Sequence, residues 1–171
     1  MGILDGNPKD EPLHYGEISG LWEFSTAAKA MFSSLQAYRY HAGDSDLKKV
    51  IDEYIDLAHR EIKDCDKILK DNGILPSPSL PDRPTAKMED IPVGARFSDP
   101  EIAAMLSANI AVGLTHCSQI MGMAIREDIA ALFLKTHTLK ANVGLSILRL
   151  TKEKGWLVPP PLQVKRELVH A

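Results

Sequence analysis

Apolar residues recur along this chain at the three- and four-residue spacing of a helix, in four long stretches. In the first, Leu13, Leu21, Phe24, Ala28, Met31, Phe32 and Leu35 form a stripe at helical and not strand spacing. It predicts a helix over about 12–42, with Pro12 in its first turn behind Asp10 and Glu11, and Gly43 ending it. Asp44 and Ser45 then supply an N-cap for a second helix over 45–72. Its face carries Leu47, Ile51, Tyr54, Ala58, Ile62, Cys65 and Leu69, and Asn72-Gly73 marks its stop. So short a connection makes the first two helices antiparallel neighbours.

The pattern vanishes over 73–98. Pro76, Pro78, Pro81, Pro84 and Pro92 forbid a helix there and favour extended chain. Some 25 residues reach on the order of 75 Å when extended, enough to run the length of a bundle roughly 40 Å long. Ile91, Val93 and Phe97 are the residues expected to tack this crossover down. Ser98-Asp99-Pro100-Glu101 is a capping box with proline in the first turn, and opens a third helix over 99–123. Helical periodicity continues from there to about Lys154, too long for one helix of a globular domain. Dividing it at a tight turn near Gly122 to Glu127 leaves a fourth helix over 126–154, stopped by Gly155. Residues up to Asp10 read as a flexible lead-in, and 155–171 as an extended tail whose Trp156, Leu157 and Val158 pack on the bundle. The expectation is one all-α domain over 1–171, a four-helix bundle with ferritin-like connectivity.

Composition changes this picture little. The chain has 171 residues, 44% hydrophobic and 25% charged, as in an ordinary globular domain. A formal net charge of −3 offers no basic face for nucleic acid or an anionic membrane. The first residues have neither a basic n-region nor an apolar core, so no secretory signal is expected. Cys65 and Cys117 lack CxxC spacing and read as reduced, buried thiols, which agrees with an intracellular location.

Several segments resemble a known family. They are Gly6-Asn7-Pro8-Lys9-Asp10-Glu11-Pro12-Leu13-His14-Tyr15-Gly16-Glu17, Asp90-Ile91-Pro92-Val93-Gly94-Ala95-Arg96-Phe97 with the capping box after it, Cys117-Ser118-Gln119-Ile120-Met121-Gly122, and Lys152-Glu153-Lys154-Gly155-Trp156-Leu157 before Pro159-Pro160-Pro161. Together they are similar to a family of uncharacterised ferritin-like bundles of spore-forming, Bacillus-type bacteria. Its members are described as similar to spore coat protein F, and many carry the domain twice. The resemblance implies a structural or interaction protein rather than an enzyme, and carries over no catalytic residue. It implies protein partners or self-association, and with one copy here a role needing two bundles would come from a homodimer.

A ferritin-like bundle raises the question of a metal in its core. The di-iron signature of inward Glu and Glu-x-x-His is absent; Asp56-x-x-His59 is the nearest match, and Asp56 falls opposite the apolar stripe. Polar residues inside the stripes are Glu17, Glu61, Asn109, His116, Thr136 and Lys140, with His137 on a flank. At 1.5 Å per residue, Glu61, His116 and either His137 or Lys140 fall within about 12–22 Å of the same bundle end, with Glu17 near 8 Å. Two readings stay open. In one, Glu61 pairs with Lys140, and His116 and Glu17 join a structural polar network. In the other, Glu17, Glu61, His116 and His137 hold one Fe, Zn or Mn ion, which the Lys140 ammonium would oppose. His14 reads as a capping or surface histidine. No catalytic motif or phosphate-binding loop is present.

Overall fold

The computed structural model describes residues 11–163. The lead-in before Glu11 and the tail beyond Gln163 lie outside the described residues. Within them the chain forms four long α-helices and no strand: α1 (Tyr15–His41), α2 (Ser45–Asp71), α3 (Asp99–Met123) and α4 (Glu127–Glu153). Two single-turn 3-10 segments, Met88–Asp90 and Val93–Ala95, lie between α2 and α3.

Helix α1 starts later than the position of Pro12 predicts. His14 is its N-cap: the ring Nδ1 accepts from Gly16 N–H, and Glu17 returns a carboxylate oxygen to His14 N–H. This box satisfies two of the helix's orphan donors, so helical geometry begins after it and not at the proline. At its own end α1 stops on an extended Ala42 and Gly43 takes no positive φ, whereas the glycines after α2 and α4 act as read. Gly73 and Gly155 take positive φ, 74° and 71°, where a side chain would be strained. Ile74 N–H then reaches back to Leu69 C=O and Trp156 N–H to Thr151 C=O, closing α2 and α4.

Two tight turns and one pin set the packing. α1 meets α2 through residues 42–44, and α3 meets α4 through 124–126. Asp99, at the start of α3, accepts the N–H groups of Gly43 and Asp44 in the α1–α2 turn. α3 therefore begins at the end where α1 finishes, and α4 begins where α1 begins. Each helix packs antiparallel on its neighbours, α1 against α2 and α3, and α4 against α3 and α2.

The crossover climbs the bundle beside α1. Ser77 meets Thr26 and Lys29, Arg83 N–H donates to Gln36, Arg83 Nε donates to Ser33 C=O, and Phe97 N–H donates to His41. Polar anchors hold this strap where apolar ones were expected. Val93 is 80% exposed and Ile91 only half-buried. Of the three expected tacks, only Phe97 makes ring contacts, with Tyr38 and His41. Backbone carbonyls and N–H groups of extended chain need partners, and the polar side chains of α1 supply them.

The core is divided. One apolar cluster, near the α1–α2 turn, includes Leu35, Leu47, Ile51, Tyr54, Leu106 and Ile147. The other, near the α3–α4 turn, includes Leu21, Phe24, Cys65, Cys117, Ile120 and Phe133. Cys65 and Cys117 are free and buried there. Burial raises both thiols, Cys117 to about 12, which keeps them protonated and unreactive at neutral pH. Between the clusters runs a belt of polar side chains.

Candidate functional site

Glu61 on α2 stands one turn from Ala58 of the first cluster and one from Cys65 of the second. Lys140 crosses to it from α4. Its Nζ lies 2.9 Å from Glu61 Oε1, and both side chains are almost shut off from solvent. The two form an ion pair off the line of a good hydrogen bond, and no hydrogen bond reaches Oε1 among the described residues. Burial raises the Glu61 pKa, and Lys140 opposes that shift.

The rest of the belt serves Lys140. Its ammonium sits over the Tyr54 ring at 5.0 Å and over the Phe24 ring at 5.7 Å, so two quadrupoles share the charge with Glu61. Gly113 on α3 makes room for its stem. A Cβ there would come within 2.7 Å of Lys140 Cδ and 2.9 Å of Cε. Tyr54 donates its hydroxyl to Asn109 Oδ1 at 2.5 Å, and burial raises its pKa so that the phenol keeps its proton. His116 is half-buried with its ring 5.5 Å from that of Phe24.

These side chains line a cavity of about 70 Å³. That suits a few waters, whereas small-molecule sites usually enclose some 300–1,000 Å³. The belt has a carboxyl group with a raised pKa and an imidazole near it, but no room for a substrate between them.

The four residues weighed as metal ligands are not brought together. Glu61 and His116 line the cavity; His137, half-buried on α4, does not. Glu17 belongs to the far end of the bundle. Its carboxylate is fully buried and accepts three backbone N–H groups, from His14, Ile125 and Arg126, at 2.9–3.1 Å. It thus caps α1 and α4 together. Among the described residues no group of three or more His, Cys, Asp or Glu is placed to hold a metal ion. An ammonium already holds the position beside Glu61 where a cation would sit.

Comparison with known proteins places the chain. The sequence profile of a protein family of unknown function, DUF3231, matches residues 1–169. The chain belongs to this family. It is 51% identical over 166 residues to the uncharacterised protein YvdQ of Bacillus subtilis strain 168, covering 97% of this chain and 98% of that one. It is also similar to a crystal structure of a candidate spore coat protein of Bacillus halodurans C-125. The TM-score is 0.91 and the identity 46%, over 93% of this chain and all of the other.

This DUF3231 chain has two further buried charges that the apolar stripes do not announce. Lys29, 3% exposed, pairs with Asp66 of α2 at 2.8 Å and donates to Ser77 C=O of the strap at 2.7 Å. Ser25 shares the same carboxylate. Arg126, 5% exposed, forks onto Asp128 and reaches Glu11 C=O and Asn72 Oδ1, tying the α3–α4 turn to the ends of two other segments. Lys29 stands one turn after Ser25 on the edge of the α1 stripe, which was the one legible hint. Arg126 gives no periodic signal at all, because it lies in a turn.

Proposed function

We propose that this protein is a structural or interaction protein of the spore-coat type, acting through its surfaces and not through chemistry in its core. The observation that carries the reading is the Glu61–Lys140 pair: the most chemically suggestive residues of the core neutralise each other in a space too small for a substrate. The likeness to the Bacillus halodurans candidate coat protein supports it from outside. Kinship with ferritin-like bundles belongs to the same proposal, and rests on the length-spanning crossover alone. No helix among the described residues is long and apolar enough to cross a membrane.

A fluorescent fusion followed through sporulation, with extraction of the spore coat, tests this. The protein is expected at the forespore periphery and in the coat extract. Even distribution in growing cells with none in the coat would contradict the proposal. So would stoichiometric, tightly bound metal in protein purified without an affinity tag.

A further inference from the structure

Helix α3 differs from α2 on the side that faces away from the core. α2 presents Asp52, Glu53, Asp56, Arg60, Lys63 and Lys67 to solvent. Residues 102–125, almost all of α3 and the turn after it, contain no Asp, Glu, Lys or Arg. The centre of its outer face is a seam of small residues, Ala104, Ala108, Ala111, Thr115, Ser118 and Gly122, all exposed. Their alternating steps of four and three repeat those of a helix-packing seam. The inner seam of the same helix, Ala103, Leu106, Ile110, Gly113, Cys117 and Ile120, has that spacing and is the one packed in the bundle. α3 is thus patterned for partners on two sides.

The surroundings of the outer seam are largely apolar, with Gln119 and His116 as polar neighbours on α3. Met105 and Val112 flank it on α3, and Leu134, Leu145 and Leu148 stand exposed on α4. A groove of about 700 Å³ runs between the two helices, bordered at one end by Trp156, Leu157 and Val158. The hydroxyls on this face already donate to their own helices: Thr115 to Ala111 C=O, Ser118 to Leu114 C=O and Thr138 to Leu134 C=O. Covering them would strand no donor. With no charge over residues 102–125, covering the outer face of α3 desolvates no ion.

We infer that a second copy of this chain covers the α3–α4 face, packing antiparallel about a twofold axis. Self-complementarity selects this occupant. In an antiparallel pair whose axis passes near Gly113, Ala104 meets Gly122, Ala108 meets Ser118 and Ala111 meets Thr115, so every position of the seam finds a small residue. Close approach of the two α3 axes follows from those side chains. The area fits too. Two helices about 37 Å long and together some 20 Å wide offer on the order of 750 Å² per copy, near the roughly 800 Å² of a standard stable interface. The chain's own last residues suit the face less well, since Lys165, Arg166 and Glu167 would bring charge to an uncharged surface. The inference deepens the interaction-protein reading by naming its surface and first partner.

The test is the mass of the full chain in solution, measured by sedimentation equilibrium. The wild-type protein is expected at twice its 18.8 kDa chain mass. Ala111→Glu, at an exposed position where the isolated bundle loses nothing, is expected to keep its helical circular dichroism and weaken the dimer at least about a hundredfold, because each interface would bury two unpaired carboxylates. An Ala111→Cys/Thr115→Cys variant is expected to form an inter-chain disulfide on mild oxidation. Ala104→Cys is not, since its two copies lie about 27 Å apart in the antiparallel register. A monomeric wild type, a dimer that tolerates Ala111→Glu, or ready cross-linking through Ala104→Cys would each overturn the inference. A monomer that dimerises only after truncation at Gln163 would assign the face to the chain's own tail instead. None of these outcomes bears on the coat fractionation, so the two readings fail separately.

Discussion

Glu17 and Glu61 are both glutamates on the inward face of a helix, and both are buried, yet the structure treats them in opposite ways. At the end of the bundle, Glu17 meets three backbone N–H groups with good geometry, with the His14 ring 3.8 Å from its carboxylate. In the central belt, Glu61 meets one ammonium, which two aromatic rings also hold, and Oε1 receives no hydrogen bond among the described residues. The first carboxylate is satisfied by helix termini, which carry partial positive charge and orphan donors in fixed places. The second depends on a single flexible side chain from another helix. Buried carboxylates of the same type can therefore be a fastening or a liability, according to what has been brought to them.

The contrast predicts different costs when each is broken. Glu61→Leu would leave the Lys140 ammonium buried without its counter-ion, and is expected to lose about 3–5 kcal/mol of unfolding free energy in chemical denaturation. Lys140→Met should cost less, because Glu61 can take up a proton. Its folded pKa is already raised, and removing the cation raises it further. A raised carboxyl pKa stabilises the fold below the unfolded value, near 4.5, and that contribution is lost as pH rises through the folded value. The deficit of Lys140→Met should therefore shrink as pH falls from 7 toward 5. A deficit that stayed constant across that range would show that Glu61 is not the group left charged.

Glu17→Ala, which strands three N–H groups at two helix starts, is expected to cost about 3 kcal/mol. Glu17→Gln, keeping one acceptor oxygen, should recover part of it. Equal losses for the two variants would mean that packing, and not hydrogen bonding, is what Glu17 supplies. Gly113→Ala disturbs the belt without touching its charge. The clash with the Lys140 stem is expected to cost about 1–2 kcal/mol, against a helix-propensity gain of somewhat under 1. Pairing it with Lys140→Met should relieve the clash, which a double-mutant cycle reads directly.

The smallest effect belongs to a third place, at the α1–α2 turn. Lys154 lies 2.8 Å from Asp44 and 3.0 Å from Asp46, and its hydrogen bond holds the Asp44 carboxyl down at about 2. A depressed carboxyl pKa stabilises the fold above the unfolded value and is lost as pH falls from about 4 toward 2. Because solvent reaches this part-buried pair, Lys154→Ala should lower stability only slightly at neutral pH, and that deficit should fade as pH falls from about 4 toward 2. A deficit as large at pH 2 as at pH 7 would contradict this origin.

The four helices were legible because each element's local signals agree. The stripes of α1 and α2, the capping box at Ser98 and the glycine stops at Gly73 and Gly155 all point to the same boundaries. The start of α1 was misread because Pro12 is a stronger sequence cue than a histidine cap, although the His14–Glu17 box decides the matter. The α3–α4 turn has no proline or capping residue of its own, since Glu17, more than a hundred residues earlier, supplies its cap. A cap borrowed from that distance leaves no local trace. The same applies to the strap, where Val93 was expected to anchor and Lys29, Gln36 and Arg83 do so instead.

For the candidate site, helical phase placed Glu61, His116 and Lys140 inward, and rise per residue placed Glu61 and Lys140 in one layer. Neither could place Glu17, whose partners lie beyond the helix ends, or remove His137 from a shared layer, since a flank position has no assigned depth. Nor does an inward polar stripe distinguish a ligand set from an ion pair. That depends on Gly113 letting the Lys140 stem through, and on two rings receiving its head.

The central claim is that Glu61 and Lys140 are held in the core as a structural pair. The measurement that tests it most directly is the unfolding free energy of Glu61→Leu/Lys140→Met beside its two single variants. If the pair is structural, the double variant should return to within about 1 kcal/mol of wild type, or exceed it, because well-packed apolar side chains replace a buried ion pair without stranding a charge. A double variant as unstable as the sum of the two single losses would contradict the claim.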